Sequence, residues 1–128
     1  MSETRRPYSS GLEAALDVIG GKWKVLILWP LHPRPRRFGE LRRLVPGISE
    51  KMLIQQLRAM EADGIVARKV YHEVPPKVEY SLTKFGVTLK EVLTPLCEWG
   101  SQHMQRIISM RKCAGRKQGE KVSGTNNA

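Results

Sequence analysis

The stretch that decides the fold is Pro46-Gly47-Ile48-Ser49-Glu50-Lys51-Met52-Leu53-Ile54-Gln55-Gln56-Leu57-Arg58-Ala59-Met60-Glu61-Ala62-Asp63-Gly64. Pro46-Gly47 stops whatever precedes it. Ser49 and Glu50 then start a helix: a hydroxyl to accept from a free backbone N–H, and a carboxylate at the positive end of the helix dipole. The helix is expected to run from Glu50 to about Ala62, with Gly64 where the chain turns out of it. With a turn every 3.6 residues or so, Leu53, Leu57 and Met60 share one side, and Lys51, Gln55 and Arg58 share the opposite one. The first side suits a core. The second carries side chains that pair with base edges, glutamine with adenine and lysine or arginine with guanine. Ser49 can donate to a phosphate or a base edge, and Met52 and Ile54 flank the polar side within reach of thymine methyls. An ordinary amphipathic helix with a solvated face has the same pattern, so the neighbours decide between the two.

On the N-terminal side, Phe38, Leu41, Leu44 and Val45 fall at helical spacing and mark the helix before the Pro-Gly turn. Arg36, Arg37, Arg42 and Arg43 surround it, with Arg36 and Arg37 as candidate phosphate contacts. Further back, His32-Pro33-Arg34-Pro35 is a loop. A helix is expected from Lys22 to Trp29, with Trp23, Leu26 and Ile27 inward, ended or bent by Pro30. Gly20-Gly21 separates it from a first helix whose apolar face is Leu12, Ala15, Leu16 and Ile19.

On the C-terminal side come two strands, Ile65 to Tyr71 and Lys77 to Leu82. In the second, Val78, Tyr80 and Leu82 alternate with Glu79 and Ser81, the period of a half-buried strand. The connection His72-Glu73-Val74-Pro75-Pro76 is too long for a tight turn and is stiffened by two prolines, so it should project. Arg68, Lys69 and Lys77 make this hairpin basic. Lys77, beside the tip, is the candidate contact to the minor groove or the phosphates; a solvated loop guarding a strand edge is the alternative. Thr83 can cap a long last helix, Lys84 to about Met110, kinked at Pro95.

The order is helix, helix, helix, Pro-Gly-Ile turn, helix, strand, stiff loop, strand, helix. That is a winged helix-turn-helix: mainly α with a small β-hairpin wing, and one helix held across a glycine-containing turn so that its polar side enters a major groove. The expected organisation is a flexible arm over 1–10, a DNA-binding and dimerisation domain over 11–110, and a basic disordered tail over 111–128.

Bulk properties agree. The 128 residues suit one domain, and 41% hydrophobic with 27% charged residues suits a soluble one. Twenty-two basic against 12 acidic residues give a net charge of +10, which favours a polyanionic partner. From Arg34 to Lys77 there are ten Lys/Arg and five Asp/Glu, but only three and two from Lys84 to Met110. The footprint therefore belongs to the middle of the chain. The low-charge last helix needs another task, and its apolar surface is wider than one stripe. Leu89, Leu93, Leu96, Met104 and Ile107, joined by Leu12 and Leu16, are expected to pack against a second copy. A two-fold dimer would set two recognition helices one DNA turn apart, roughly 34 Å. No stretch is apolar enough to span a bilayer and no secretory signal is evident, so a cytoplasmic, nucleoid-associated protein without membrane contact is expected.

Catalytic patterns are missing. Gly20-Gly21-Lys22 lacks the spacing of a phosphate loop and is followed by Trp23. His32, His72 and His103 are scattered, and Cys97 and His103 stand at no usual zinc spacing. No enzyme activity, metal or cofactor is expected, and Cys97 and Cys113 are expected to be free thiols.

Several stretches resemble the HxlR-type family of winged helix-turn-helix transcriptional regulators, relatives of the MarR type. They are Leu16-Asp17-Val18-Ile19-Gly20-Gly21-Lys22-Trp23-Lys24, Arg37-Phe38-Gly39-Glu40-Leu41-Arg42-Arg43, Pro46-Gly47-Ile48-Ser49-Glu50-Lys51-Met52-Leu53, Glu61-Ala62-Asp63-Gly64-Ile65-Val66, Val74-Pro75-Pro76-Lys77-Val78-Glu79-Tyr80-Ser81-Leu82-Thr83 and Leu96-Cys97-Glu98-Trp99-Gly100. The resemblance covers about residues 10 to 103. It implies a bacterial or archaeal dimeric regulator acting on pseudo-palindromic operators. It also implies, for many members, a response to oxidants, quinones or aldehydes through a cysteine near the N-terminus, commonly followed by proline. The corresponding pair here resembles Ser10-Gly11, and a serine hydroxyl does not supply a thiolate. The expected function is a homodimeric repressor of double-stranded DNA operators, with a small-molecule effector pocket near Trp23, Cys97 and Trp99. A non-specific architectural DNA binder and a protein-interaction module remain as alternatives.

Overall fold

The structure is a computed structural model; it describes residues 7–122, with side chains through residue 115. The first helix, α1 (Gly11–Ile19), starts at Ser10, whose hydroxyl accepts the Glu13 N–H at 3.1 Å. Ser9 donates its N–H and its hydroxyl to the Glu13 carboxylate at 2.7 and 2.6 Å. These bonds stabilise the ionised form and hold that carboxyl below its ordinary pKa. The Tyr8 hydroxyl bonds to Asp17, two turns along. The C-terminal end of the expected loose arm is thus tied down; its residues 1–6 lie outside the described residues.

Helix α2 (Lys22–Leu31) continues one residue past Pro30. It ends with the His32 N–H donating to the Trp29 carbonyl at 3.1 Å, a tightened last turn. Ile27, Leu28 and Leu31 are buried, Trp23 is half-buried and Leu26 is exposed. The expectation for Leu26 is therefore corrected. A run as apolar as Val25-Leu26-Ile27-Leu28-Trp29 shows no clear period, so sequence alone does not choose its inner face.

A two-residue strand, β1 (Arg36–Arg37), leads into α3 (Phe38–Leu44), where Leu41 is buried together with Val45 just past the helix. The Pro46-Gly47 turn then gives α4 (Glu50–Ala62), with the bounds the sequence predicts. The Ser49 hydroxyl accepts the Met52 N–H at 3.0 Å, and Leu53, Leu57 and Met60 are all buried. Gly64 adopts φ 75°, a left-handed conformation that costs glycine little, and the Ile65 N–H returns to the Met60 carbonyl at 2.9 Å.

Strand β2 (Val66–Tyr71) pairs antiparallel with β3 (Lys77–Leu82), Val66 opposite Leu82 and Tyr71 opposite Lys77. On the other edge of β3, β1 adds Arg36 opposite Tyr80 and Arg37 opposite Glu79, in the order β1-β3-β2. The wing is therefore a small three-stranded sheet at its base, where the sequence predicts a two-stranded hairpin. The core joins Ile27, Leu28 and Leu31 to Leu41, Val45 and Ile48, to the α4 stripe, and to Ile65 and Val66.

Thr83 starts α5 (Lys84–Gln102). Its hydroxyl accepts the Gly86 N–H at 3.0 Å and bonds to the Gly64 and Ile65 carbonyls. The single last helix of the sequence reading is two: α6 (Met104–Val122) follows a break at His103. Residues 111–122, read from composition as a disordered tail, are helical, and 123–128 lie outside the described residues. Arg111-Lys112-Cys113-Ala114 is rich in good helix formers, and polarity by itself does not end a helix. The described residues group into two compact units, divided between Lys90 and Glu91. Among them no helix is long and apolar enough to cross a membrane.

Candidate nucleic-acid interface

Helix α4 positions the candidate site. Its apolar stripe fixes the roll of the helix, because turning Leu53, Leu57 and Met60 outward would expose three buried side chains at about 1.5–3 kcal/mol each. That roll leaves Lys51, Gln55 and Arg58 exposed on the opposite side. Met52 is half-buried and accepts from Gln56 Nε2 at 3.3 Å, so it sits nearer the protein than Ile54, which is exposed. Ser49 is exposed at the helix start. Its oxygen is occupied by the Met52 N–H, and its own O–H proton is free to donate.

The arginines before α3 divide. Arg37 is exposed, and its backbone N–H donates to Glu40 Oε1 at 2.9 Å. That bond, and one from Arg34 at 3.0 Å, hold the Glu40 carboxyl below its usual range. Arg36 is half-buried, and its Nε donates to the Pro30 carbonyl at 2.8 Å. Pro30 lies in the last turn of α2, where carbonyls have no partner within the helix, and Arg36 satisfies this one while anchoring β1.

The wing also differs from the sequence picture. Lys77 does not stand free at the tip. Its Nζ lies 3.8 Å from Glu79 Oε2 and 4.4 Å from the Tyr71 ring centre. Lys69 lies over the same ring at 4.8 Å, and the Tyr71 hydroxyl donates to Glu79 Oε1 at 3.0 Å. One sheet face thus carries a knit cluster of Lys69, Tyr71, Lys77 and Glu79. The other face carries Arg68 and Tyr80, directly opposite one another in the ladder. These two, with Ile54, Leu57, Arg58 and Glu61 of α4, line an open cleft of about 430 Å³. Sequence reasoning misses this cleft, although its signal is present: if Tyr71 faces Lys77 across the loop, counting back places Arg68 opposite Tyr80.

Of the residues expected at a dimer interface, Leu12 (71% exposed), Leu16 (58%), Leu96 (60%) and Met104 (51%) lie at the surface. Leu89 and Ile107 are half-buried, and Leu93 is only 4% exposed, so it belongs to the chain's own interior. Helical spacing does not separate them, because Leu89, Val92, Leu93 and Leu96 stand at i, i+3, i+4 and i+7 on one stripe of α5. The three residues expected at an effector pocket fall in both units. Trp23 belongs to the first unit, and Cys97 and Trp99 to the second. Cys97 is exposed, and the Trp99 ring stacks on His103 at 4.8 Å. Among the described residues no cluster of three His, Cys, Asp or Glu side chains could hold a metal.

Comparison with known proteins agrees with this geometry. Residues 18–108 match the family described as HxlR-like helix-turn-helix. The chain is 50% identical over 103 residues to the HTH-type transcriptional regulator YtcD of Bacillus subtilis (strain 168), covering 80% of this chain and 82% of that one. It is 45% identical over 96 residues to an HTH-type transcriptional regulator of Methanothermobacter thermautotrophicus, covering 75% and 73%. Among solved structures, the redox regulator HypR in its reduced form is similar with a TM-score of 0.74 and 51% identity, covering 78% of this chain and 99% of that one.

Proposed function

The chain belongs to the HxlR-like helix-turn-helix family of transcriptional regulators, and from that premise we propose that it is a repressor that binds a pseudo-palindromic operator as a homodimer. The observation that carries the reading is the exposed Lys51, Gln55 and Arg58 face of α4, backed by the buried Leu53, Leu57 and Met60. Lys51 and Gln55 lie in the first two turns, the part of a recognition helix that meets base edges. Gln55 fits adenine and Lys51 fits guanine. The operator would carry two half-sites centred roughly 34 Å apart, one for each copy. Exposed leucines on α1 and α5 support the second copy, because apolar surface of this extent is costly to leave in water.

Thiol chemistry at the start of α1 is not part of this reading. Ser10 there is a helix cap, and the chain's two cysteines are Cys97 and Cys113. A binding titration with the DNA flanking the chain's own coding sequence, in competition with random duplex, tests the proposal. Lys51→Ala or Gln55→Ala should cut the discrimination between the two by about 1–3 kcal/mol for each base that is no longer read. Full discrimination in both variants would refute the assignment of α4. Equal affinity of the wild-type chain for both duplexes would make it an architectural binder instead.

A further inference from the structure

The cleft between α4 and the wing has a composition that the base-reading face does not explain. It presents two guanidinium groups, Arg58 from α4 and Arg68 from β2, with Tyr80 beside them. Three other basic residues of the same unit are paired: Arg34 with Glu40, Arg42 with Glu50 and Lys77 with Glu79. Among the described residues neither Arg58 nor Arg68 has an ion-pair or hydrogen-bond partner. Against these two cations the cleft sets one carboxylate, Glu61, so its net charge is positive and favours an anion. The bound anion needs several acceptor oxygens to take both guanidinium groups and the Tyr80 hydroxyl, which is the chemistry of a phosphate.

Its position identifies the source. Arg58 follows Gln55 by three residues on α4, so the cleft borders the side assigned to the major groove. A duplex seated on Lys51 and Gln55 must carry the sugar-phosphate strand that edges this groove past the wing. Resting on that DNA-binding reading, we infer that Arg58, Arg68 and Tyr80 seat one backbone phosphate between the recognition helix and the wing. Arg58 then positions the duplex and does not read a base, since phosphate contacts carry no sequence. Glu61, one turn beyond Arg58 in the same cleft, opposes the anion and limits how tightly the seat holds non-specific DNA.

Fluorescence anisotropy tests this, using the chain's own upstream fragment and a random-sequence duplex over a range of salt. Arg68→Ala should weaken binding to both duplexes by the same factor, about tenfold, and flatten the slope of log K against log salt by about 0.9. Arg68→Lys should restore the slope, because the charge is restored. Glu61→Gln should tighten both duplexes, about threefold. Arg68 is exposed, so these variants should fold, and a thermal melt checks that. An unchanged salt slope in Arg68→Ala, or weakening confined to one sequence, overturns the phosphate seat and leaves the DNA reading standing. A wild-type chain that binds neither duplex at low salt overturns both.

Discussion

Gly86 carries a constraint that no periodicity reports. A β-carbon there would lie 2.2 Å from the Ile65 carbonyl oxygen, well inside contact distance. The obstacle is backbone, and that backbone is already fixed: the Ile65 carbonyl accepts the Thr83 N–H at 3.0 Å and the Thr83 hydroxyl at 3.2 Å. Gly86→Ala should therefore force α5 away from the junction of α4 and β2 and cost about 1–3 kcal/mol, read as a lower urea midpoint at unchanged m-value. Single residues of local meaning are plain in the sequence. Ser49 caps and Leu53 packs because each answers to neighbours three or four positions away. Gly86 answers to a residue 21 positions earlier, and nothing in its immediate sequence says so. Arg36 is similar: it reads as one more cation in a basic run, and only the Pro30 carbonyl gives it a structural task.

Helix α4 is legible to its ends because its cap, stripe and terminal glycine all agree. Strand β1 is not, since two residues have no period and their partner lies more than forty positions away. The break at His103 likewise has no glycine or proline beside it to announce it. The cap of α4 offers a test at this scale. Ser49→Ala removes the acceptor for the Met52 N–H and should cost about 1 kcal/mol of stability. Ser49→Asp keeps an acceptor and complements the helix dipole, so its stability should match the wild type. It also sets a negative charge at the end of α4 proposed to face the duplex, and DNA affinity should fall. A variant as stable as the parent and equally good at binding would separate the start of α4 from the interface.

For the molecule as a whole, the exposed leucines are the feature to test. Leu12→Glu and Leu96→Glu place charge on surface positions and should shift the proposed dimer to monomer in light scattering, with the fold retained. Leu93→Ala should instead cost about 2–5 kcal/mol of stability, as a truncation in a packed interior does. Dimers that survive both glutamate variants would move the interface elsewhere. The basic charge and the wing are foreseeable from composition and turn chemistry; the tether at the wing's root is not. Because β1 and the Arg36–Pro30 bond moor the hairpin to the end of α2, the arm proposed to flank the duplex is held before any duplex arrives. An arm so moored forfeits little freedom on docking, and the encounter is then paced by diffusion and charge, with no wait for a rare open pose.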